Sequence, residues 1–277
     1  MDEWRKRPAH RTDGDTLLLS VVFTWQLPLA AEEVRAARFL GYPIRVGGPA
    51  VRLMPDYLPS EVVDLSDDGD WLSRHNPEAT RTSQGCPRGC SFCAVPVLHP
   101  KQVEFPDFRP APLVCDDNFL ACSETHIRRS VERLHGVQGV DFNQGLDARL
   151  LKPWHLDLLT SLDLGPVRFA WDSPGCETPT MRAVSASVAA GIPKRSIRVY
   201  ILIGHGETPE EALYRHETVK ATGAYPVPMR YQPLDSLTKN SHLPPEWSRN
   251  EMARFVKYWS RQAWYRGIDY ADFVWGA

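Results

Sequence analysis

The chain has 277 residues, 43% of them hydrophobic and 24% charged, with a net charge of −2. That length buries a large core in one or two domains, and the near-neutral charge gives no global drive toward nucleic acid or an anionic membrane. The apolar run Leu17 to Trp25 is too short to span a bilayer, and six cysteines without a secretory leader argue against a disulfide framework. A cytoplasmic protein with no membrane partner is expected.

Residues 1–15 are polar and read as a loose terminus. Leu17 to Thr24 (LLLSVVFT) has the near-continuous apolar pattern of a buried parallel strand. Leu29 to Leu40 has helical spacing and stops at Gly41, and Pro43 to Val51 reads as a second strand. Together they predict a small βαβ unit, with Gly47-Gly48-Pro49 as plain turn chemistry. Residues 55–79 form a connecting segment in which Asp67, Asp68 and Asp70 read as a solvated loop before a cation site.

From about residue 80, strands and helices alternate, the mark of an α/β parallel sheet. Expected strands are Thr80 to Ser83, Pro112 to Asp116, Val140 to Asn143, Val167 to Trp171, Ile197 to Ile203 and Val227 to Gln232. Expected helices are Thr125 to Leu134, Pro153 to Leu162, Thr178 to Ala190 and Pro209 to Thr222. Arg249 to Tyr265 reads as one long amphipathic helix. The implied division is 1–79, 80–240 and 241–277.

Cys86, Cys90 and Cys93 fall in one short stretch, CPRGCSFC. Thiolates so close repel one another unless a metal neutralises them. Three ligands suit an iron–sulfur cluster that keeps one iron open for a substrate or cofactor, because a closed [4Fe–4S] cube takes four cysteines. A zinc site with His99 or Cys115 as fourth ligand is the alternative, although zinc motifs show two separated ligand pairs and no second CxxC is present. Gly85 and Gly89 let the loop wrap what it binds.

The spacing CxxxCxxC, with Phe92 before the last cysteine, resembles the signature of the radical S-adenosylmethionine (radical SAM) superfamily. The resemblance implies a [4Fe–4S] cluster on Cys86, Cys90 and Cys93, with SAM chelating the fourth iron. An external flavodoxin- or ferredoxin-type donor would supply the electron that cleaves SAM to a 5′-deoxyadenosyl radical. It also implies the family's partial (β/α)6 barrel, here with a small N-terminal Rossmann-like βαβ unit. That unit is similar to a cut-down cobalamin-binding domain. The family's Asp-x-His-x-x-Gly is absent from it, so no cobalamin is expected.

The same resemblance assigns roles at the strand ends, where barrels of this kind place their chemistry. Asp116, Asp117 and Asn118 would meet SAM's amino group, unless an Asp merely caps the next helix, a task Ser123 is better placed to perform. Gln144 could bind substrate, and Arg149 could pair with SAM's carboxylate or simply with a neighbour such as Asp147. Asp172 and Ser173 would hold the ribose hydroxyls, or form a turn. ILIGHGETPEE resembles the family's fifth-strand motif and would bring Ile203 and Gly204 against the adenine, with Tyr231 as a further wall. Thr208 and Glu211 also read as a capping box. Cys115, Cys122 and Cys176 have no cluster spacing, so no auxiliary cluster is expected.

Arg254, Lys257, Arg261 and Arg266 interleave with Tyr258, Trp259, Trp264 and Tyr265. That pattern suits a nucleic-acid or nucleotide surface, or a helix packing its aromatics inward under basic stems. The expected substrate is therefore a nucleobase, in nucleic acid or as a nucleotide, with a small metabolite or peptide as the alternative. A non-catalytic zinc- or cluster-stabilised binding protein is the reading from another class.

Overall fold

The computed structural model describes residues 6–66 and 71–274, so Asp67, Asp68 and Asp70 lie outside the described residues. The chain forms two compact units, each assembled from several segments. The first comprises Met1–Glu78, Arg88–Lys101 and Gln232–Ser241. The second comprises Ala79–Pro87, Gln102–Tyr231 and His242–Ala277. Among the described residues no helix is long and apolar enough to cross a membrane.

In the first unit, β1 (Ala9–Asp13) and β2 (Thr16–Ser20) pair antiparallel, and β3 (Ile44–Gly47) pairs parallel with β2. The segment expected as a loose terminus is thus partly a strand. α1 (Leu27–Phe39) buries Leu27, Ala30, Val34 and Ala37, whose spacing of three and four residues puts them on one face. They join Leu19, Val21, Val46 and Val51 in one core. β2 stops earlier than its apolar run. Gln26 Oε1 accepts from the Val22 and Phe23 amides at 3.2 Å, which turns the backbone out of the sheet.

β3 likewise ends at Gly47, and the short helix α2 (Pro49–Leu53) follows. Gly48 has φ +100°, and a Cβ there would lie 2.7 Å from the Val21 oxygen and 2.8 Å from its nitrogen. A short helix α3 (Trp71–His75) returns His75 Nε2 to Ser20 Oγ at 3.0 Å. α4 (Val95–Leu98), just beyond the cysteines, packs on α2. The segment Gln232–Ser241 adds Leu237 to this core, and Ser236 O accepts from Thr24 Oγ1 at 2.7 Å.

In the second unit, β4 (Ala79–Thr80), β7 (Leu113–Val114) and β8 (Asp141–Phe142) form one parallel sheet. β9 (Val167–Trp171), β10 (Ile197–Ile203) and β11 (Tyr225–Arg230) form another. β5 (Ser83–Gln84) and β6 (Val103–Glu104) make an antiparallel pair, and the cysteine stretch lies on the excursion between them.

The partial (β/α)6 barrel expected from the sequence is therefore not the architecture, whereas the expected βαβ unit is present as β2, α1 and β3 with β2 and β3 parallel. Among the described residues there are several small sheets of two or three strands, and no closed barrel. The break falls between β8 and β9. β8 is two residues long, and the chain then turns at Gly145, where φ is +91°. Contact with β9 passes to one bridge, Leu146 with Phe169, in which the Leu146 amide donates to Arg168 O at 2.7 Å. A turn residue cannot extend a ladder, so strand pairing stops.

Helices α5 (Glu124–Leu134), α6 (Pro153–Leu159), α7 (Glu177–Ala189) and α8 (Pro209–Thr222) follow strands of this unit. Ser123 caps α5 by accepting from the His126 amide, and Thr208 with Glu211 forms the capping box of α8. The expected C-terminal helix is two: α9 (Arg249–Trp259) and α10 (Gln262–Gly267), with extended backbone at Arg261. The break lets Tyr258, Trp259 and Tyr265 all enter one core, with ring centroids 5.3 Å apart for Trp259 and Tyr265.

Gly48→Ala would force both a steric overlap and a disfavoured φ, so it is expected to cost about 1–3 kcal/mol. Urea unfolding would show this as a lower midpoint, and an unchanged midpoint would contradict the account.

Candidate functional site

The groups around Asp116 and Cys86 belong to the second unit, at the carboxyl ends of its strands, whereas Cys90 and Cys93 belong to the first. The foundation of these groups is Asp116, which follows β7 and is buried. One carboxylate oxygen accepts from the Thr82 amide at 2.6 Å, and the other from Thr82 Oγ1 at 2.5 Å and Ser83 Oγ at 2.8 Å. Burial pushes this carboxyl up, and those donors pull it down. Asp116 is thus an anchor for the chain entering the cysteine loop. Its oxygens are directed at protein donors.

Asp117 Oδ2 accepts from the Gly85 amide at 2.7 Å, where φ is +88°. Asn118 is 5% exposed and donates from Nδ2 to Cys86 Sγ and to Asp147 Oδ2, both at 3.3 Å. Its carbonyl, Oδ1, is buried with no hydrogen-bond partner. A buried acceptor in this state carries the full cost of lost hydration and invites a donor.

Beyond β8, Arg149 forks onto Asp147, with Nε 2.7 Å from Oδ1. This is the neighbour pairing left open above. Gln144, Arg149 and Ser173 are exposed, and Ser173 Oγ contacts Cys176 Sγ at 3.4 Å. Asp172, after β9, is pushed up to about 6 by burial, with Arg149 and Arg215 opposing the shift and Asp147 adding to it.

Beyond β10, Glu207 accepts from the Gly204 amide and from the His205 amide, the latter at 3.0 Å. Trp247 Nε1 donates to Glu207 O at 3.0 Å, and buried Arg215 approaches its carboxylate at 3.9 Å. Ile203 is fully buried. Gly204 has φ +82°, and its Cβ position would lie 3.2 Å from Met252 Cε. The close approach it allows is to Met252 of α9. Tyr231 stands edge-on to His205 at 4.6 Å and to His242 at 5.1 Å.

Sequence reading missed Glu207 as a loop clamp and Arg215 as its partner. One signal was present: Ala212, Arg215, His216 and Val219 occupy one buried stripe of α8, where a guanidinium is out of place unless paired.

The metal-ligand question turns on Cys86, Cys90 and Cys93, all half-buried, and no disulfide joins any of the six cysteines. Among the described residues no three His, Cys, Asp or Glu side chains gather as a group that could hold a metal ion. A cube, by contrast, takes each thiolate on its own iron, so its ligands need not converge on one point. Cys86 lies beside Asn118, whose Nδ2 donates to its Sγ and whose carbonyl is the buried acceptor without a donor. The zinc alternative through Cys115 fits poorly, since burial pushes that thiol up to about 11 and disfavours the thiolate. Cys122 and Cys176 are buried as well.

Comparison of the sequence with protein-family models matched none, and comparison with curated proteins found no significant match.

Asp172 yields a pH prediction. Unfolded, it ionises near 3.8, and folded near 6. As pH rises between those values only the unfolded chain releases this proton, so stability falls, and the full cost is present above about pH 6. Asp172→Asn should therefore be more stable than the parent at pH 7 by about 2–3 kcal/mol. The gap should close below about pH 4. Equal stability at pH 7 would contradict the shift.

Proposed function

We propose that this chain is a radical SAM enzyme, with Cys86, Cys90 and Cys93 as the cluster ligands. The observation that supports it is the CxxxCxxC stretch, together with Asn118 donating to Cys86 Sγ while its own carbonyl lacks a donor. When bound, a [4Fe–4S] cluster would supply the electron, received from a flavodoxin- or ferredoxin-type donor, that cleaves SAM to methionine and a 5′-deoxyadenosyl radical able to take a hydrogen atom from substrate.

The residues have separable tasks in this reading. Asp116 and Asp117 hold the loop through Thr82, Ser83 and Gly85. The Asn118 amide stabilises charge on the Cys86 sulfur, and its carbonyl accepts from the ammonium of SAM. Above about pH 6, Asp172 is a carboxylate able to accept from ribose hydroxyls. Arg149 would reach a ligand carboxylate by exchanging it for Asp147.

The basic side chains of the C-terminal helices engage the protein itself. Arg254 donates to the Phe273 carbonyl and lies over Tyr270, while Lys257 and Arg261 lie over Trp264 and Arg266 bonds Tyr225. These are packing roles, so the reading rests on the chemistry of the cysteine loop.

Protein reconstituted anaerobically with iron and sulfide should convert SAM and a reductant to 5′-deoxyadenosine and methionine. Cys90→Ala should abolish both the cluster absorbance and the product. A reconstituted cluster that leaves SAM intact would overturn the proposal. Asn118→Ala should weaken SAM binding about tenfold, the worth of one charge-assisted hydrogen bond, with iron content unchanged.

A further inference from the structure

At the amino end of β11, opposite the end that carries Tyr231, lies a cavity of about 630 Å³. Its walls come from the end of α8, the first residue of β11 and the stretch from Tyr265 to Asp272, all within the second unit. Cavities of roughly 300–1,000 Å³ suit small molecules held by a few well-placed polar groups. The radical SAM reading makes no use of this one.

Both signs of charge face this cavity. Lys220 and Arg266 supply the cations, and Asp269 and Asp272 the carboxylates. Among the described residues no ion pair joins either cation to either carboxylate, because other partners hold the cations. Lys220 Nζ pairs with Glu217 Oε2 at 3.2 Å and lies over the Trp259 ring. Arg266 donates to the Tyr225 hydroxyl and lies 4.9 Å over the same ring. A hydroxyl leaves the guanidinium charge uncompensated, and the two carboxylates are left without a cation. Arg266, Asp269 and Asp272 are exposed, so a ligand reaches them from solvent. Tyr265 is a separate signal. It lines the cavity, it is 4% exposed, and among the described residues its hydroxyl makes no hydrogen bond. Burial pushes this phenol up to about 12, so it keeps its proton to donate. A polar group withdrawn from water without a partner invites one.

We propose that this cavity binds a free aliphatic α-amino acid as its zwitterion, the ammonium at Asp269 and Asp272 and the carboxylate at Arg266 and the Tyr265 hydroxyl. Opposite charges that line one space without pairing are answered together by a ligand carrying both. Arginine suits a carboxylate by its planar fork of donors, and charge-assisted hydrogen bonds are the stronger kind. Ala224 and Ile268 give the side chain an apolar wall. A nucleotide fits worse, since its phosphate would meet two carboxylates and the tyrosine rings are already packed against Arg266 and Trp259. A metal ion fits worse too, because among the described residues no three His, Cys, Asp or Glu side chains gather to hold one. The inference goes beyond the radical SAM reading and does not depend on it.

The test is calorimetry on the full chain with L-leucine as probe, at pH 7 and fixed ionic strength. Leucine should bind saturably at one site. Isoamylamine, which lacks the carboxylate, and 4-methylpentanoate, which lacks the ammonium, should each bind at least about tenfold more weakly. Arg266→Gln, and Asp269→Asn combined with Asp272→Asn, should each weaken leucine about tenfold. Tyr265→Phe should weaken it with the melting temperature unchanged, since that hydroxyl holds nothing in the protein. Asn118→Ala should leave leucine binding as it was, which separates this cavity from the cysteine loop. No saturable binding of leucine would overturn the proposal without recourse to any variant. So would an amine that binds as tightly as leucine, displacement of leucine by calcium or adenosine monophosphate, or binding that Asn118→Ala weakens and the cavity variants do not. SAM cleavage in a protein that ignores leucine would sink this inference alone, and leucine binding in a protein that leaves SAM intact would sink the enzyme reading alone.

Discussion

A carboxylate removed from water has to be met by donors, and Asp116 is met by three. That single requirement joins the end of β7 to the chain entering the cysteine loop. With Asp116 fixed, its neighbours inherit their positions: Asp117 reaches the Gly85 amide, and Asn118 reaches Cys86 and Asp147. Asp116 thus works as a fastening between β7 and that chain. The residue two places on carries the unsatisfied atom.

A second ionic joint does similar work lower in the sheets. Asp141 on β8 and Arg168 on β9 are 7% and 12% exposed, and the pair spans the point where strand pairing lapses. Buried pairs of this kind are costly to break and are rarely cheaper than apolar packing. Here the pair links two short sheets that a backbone ladder does not. It also commits the Asp141 carboxylate to Arg168.

The apolar runs were legible: strands occur near each of the six positions read in the second unit, because β-branched residues cluster there. Their association was not legible. Several are two residues long, and a pattern of that length carries no information about which strand pairs with which. The hairpin of β1 with β2 was missed because residues 1–15 read as a loose terminus, although Gly14-Asp15 is a two-residue turn signal, and β5 with β6 was missed because a long excursion separates them. The long C-terminal pattern looked continuous because periodicity cannot register a single extended residue such as Arg261. In the site, the thiols could be named from spacing alone. The protein donors around Asp116 and the Met252 contact at Gly204 could not, because a motif records residue type and not what packs beside it.

The first unit draws on three stretches of chain, the last ending at Ser241. Ribosomal synthesis runs from the amino end at about 5–20 residues per second. Its core therefore waits for Leu237, long after β2, α1 and β3 have emerged. During that interval an incomplete apolar surface is open to chaperones, and closure depends on contacts far apart in sequence, the kind that slows folding most.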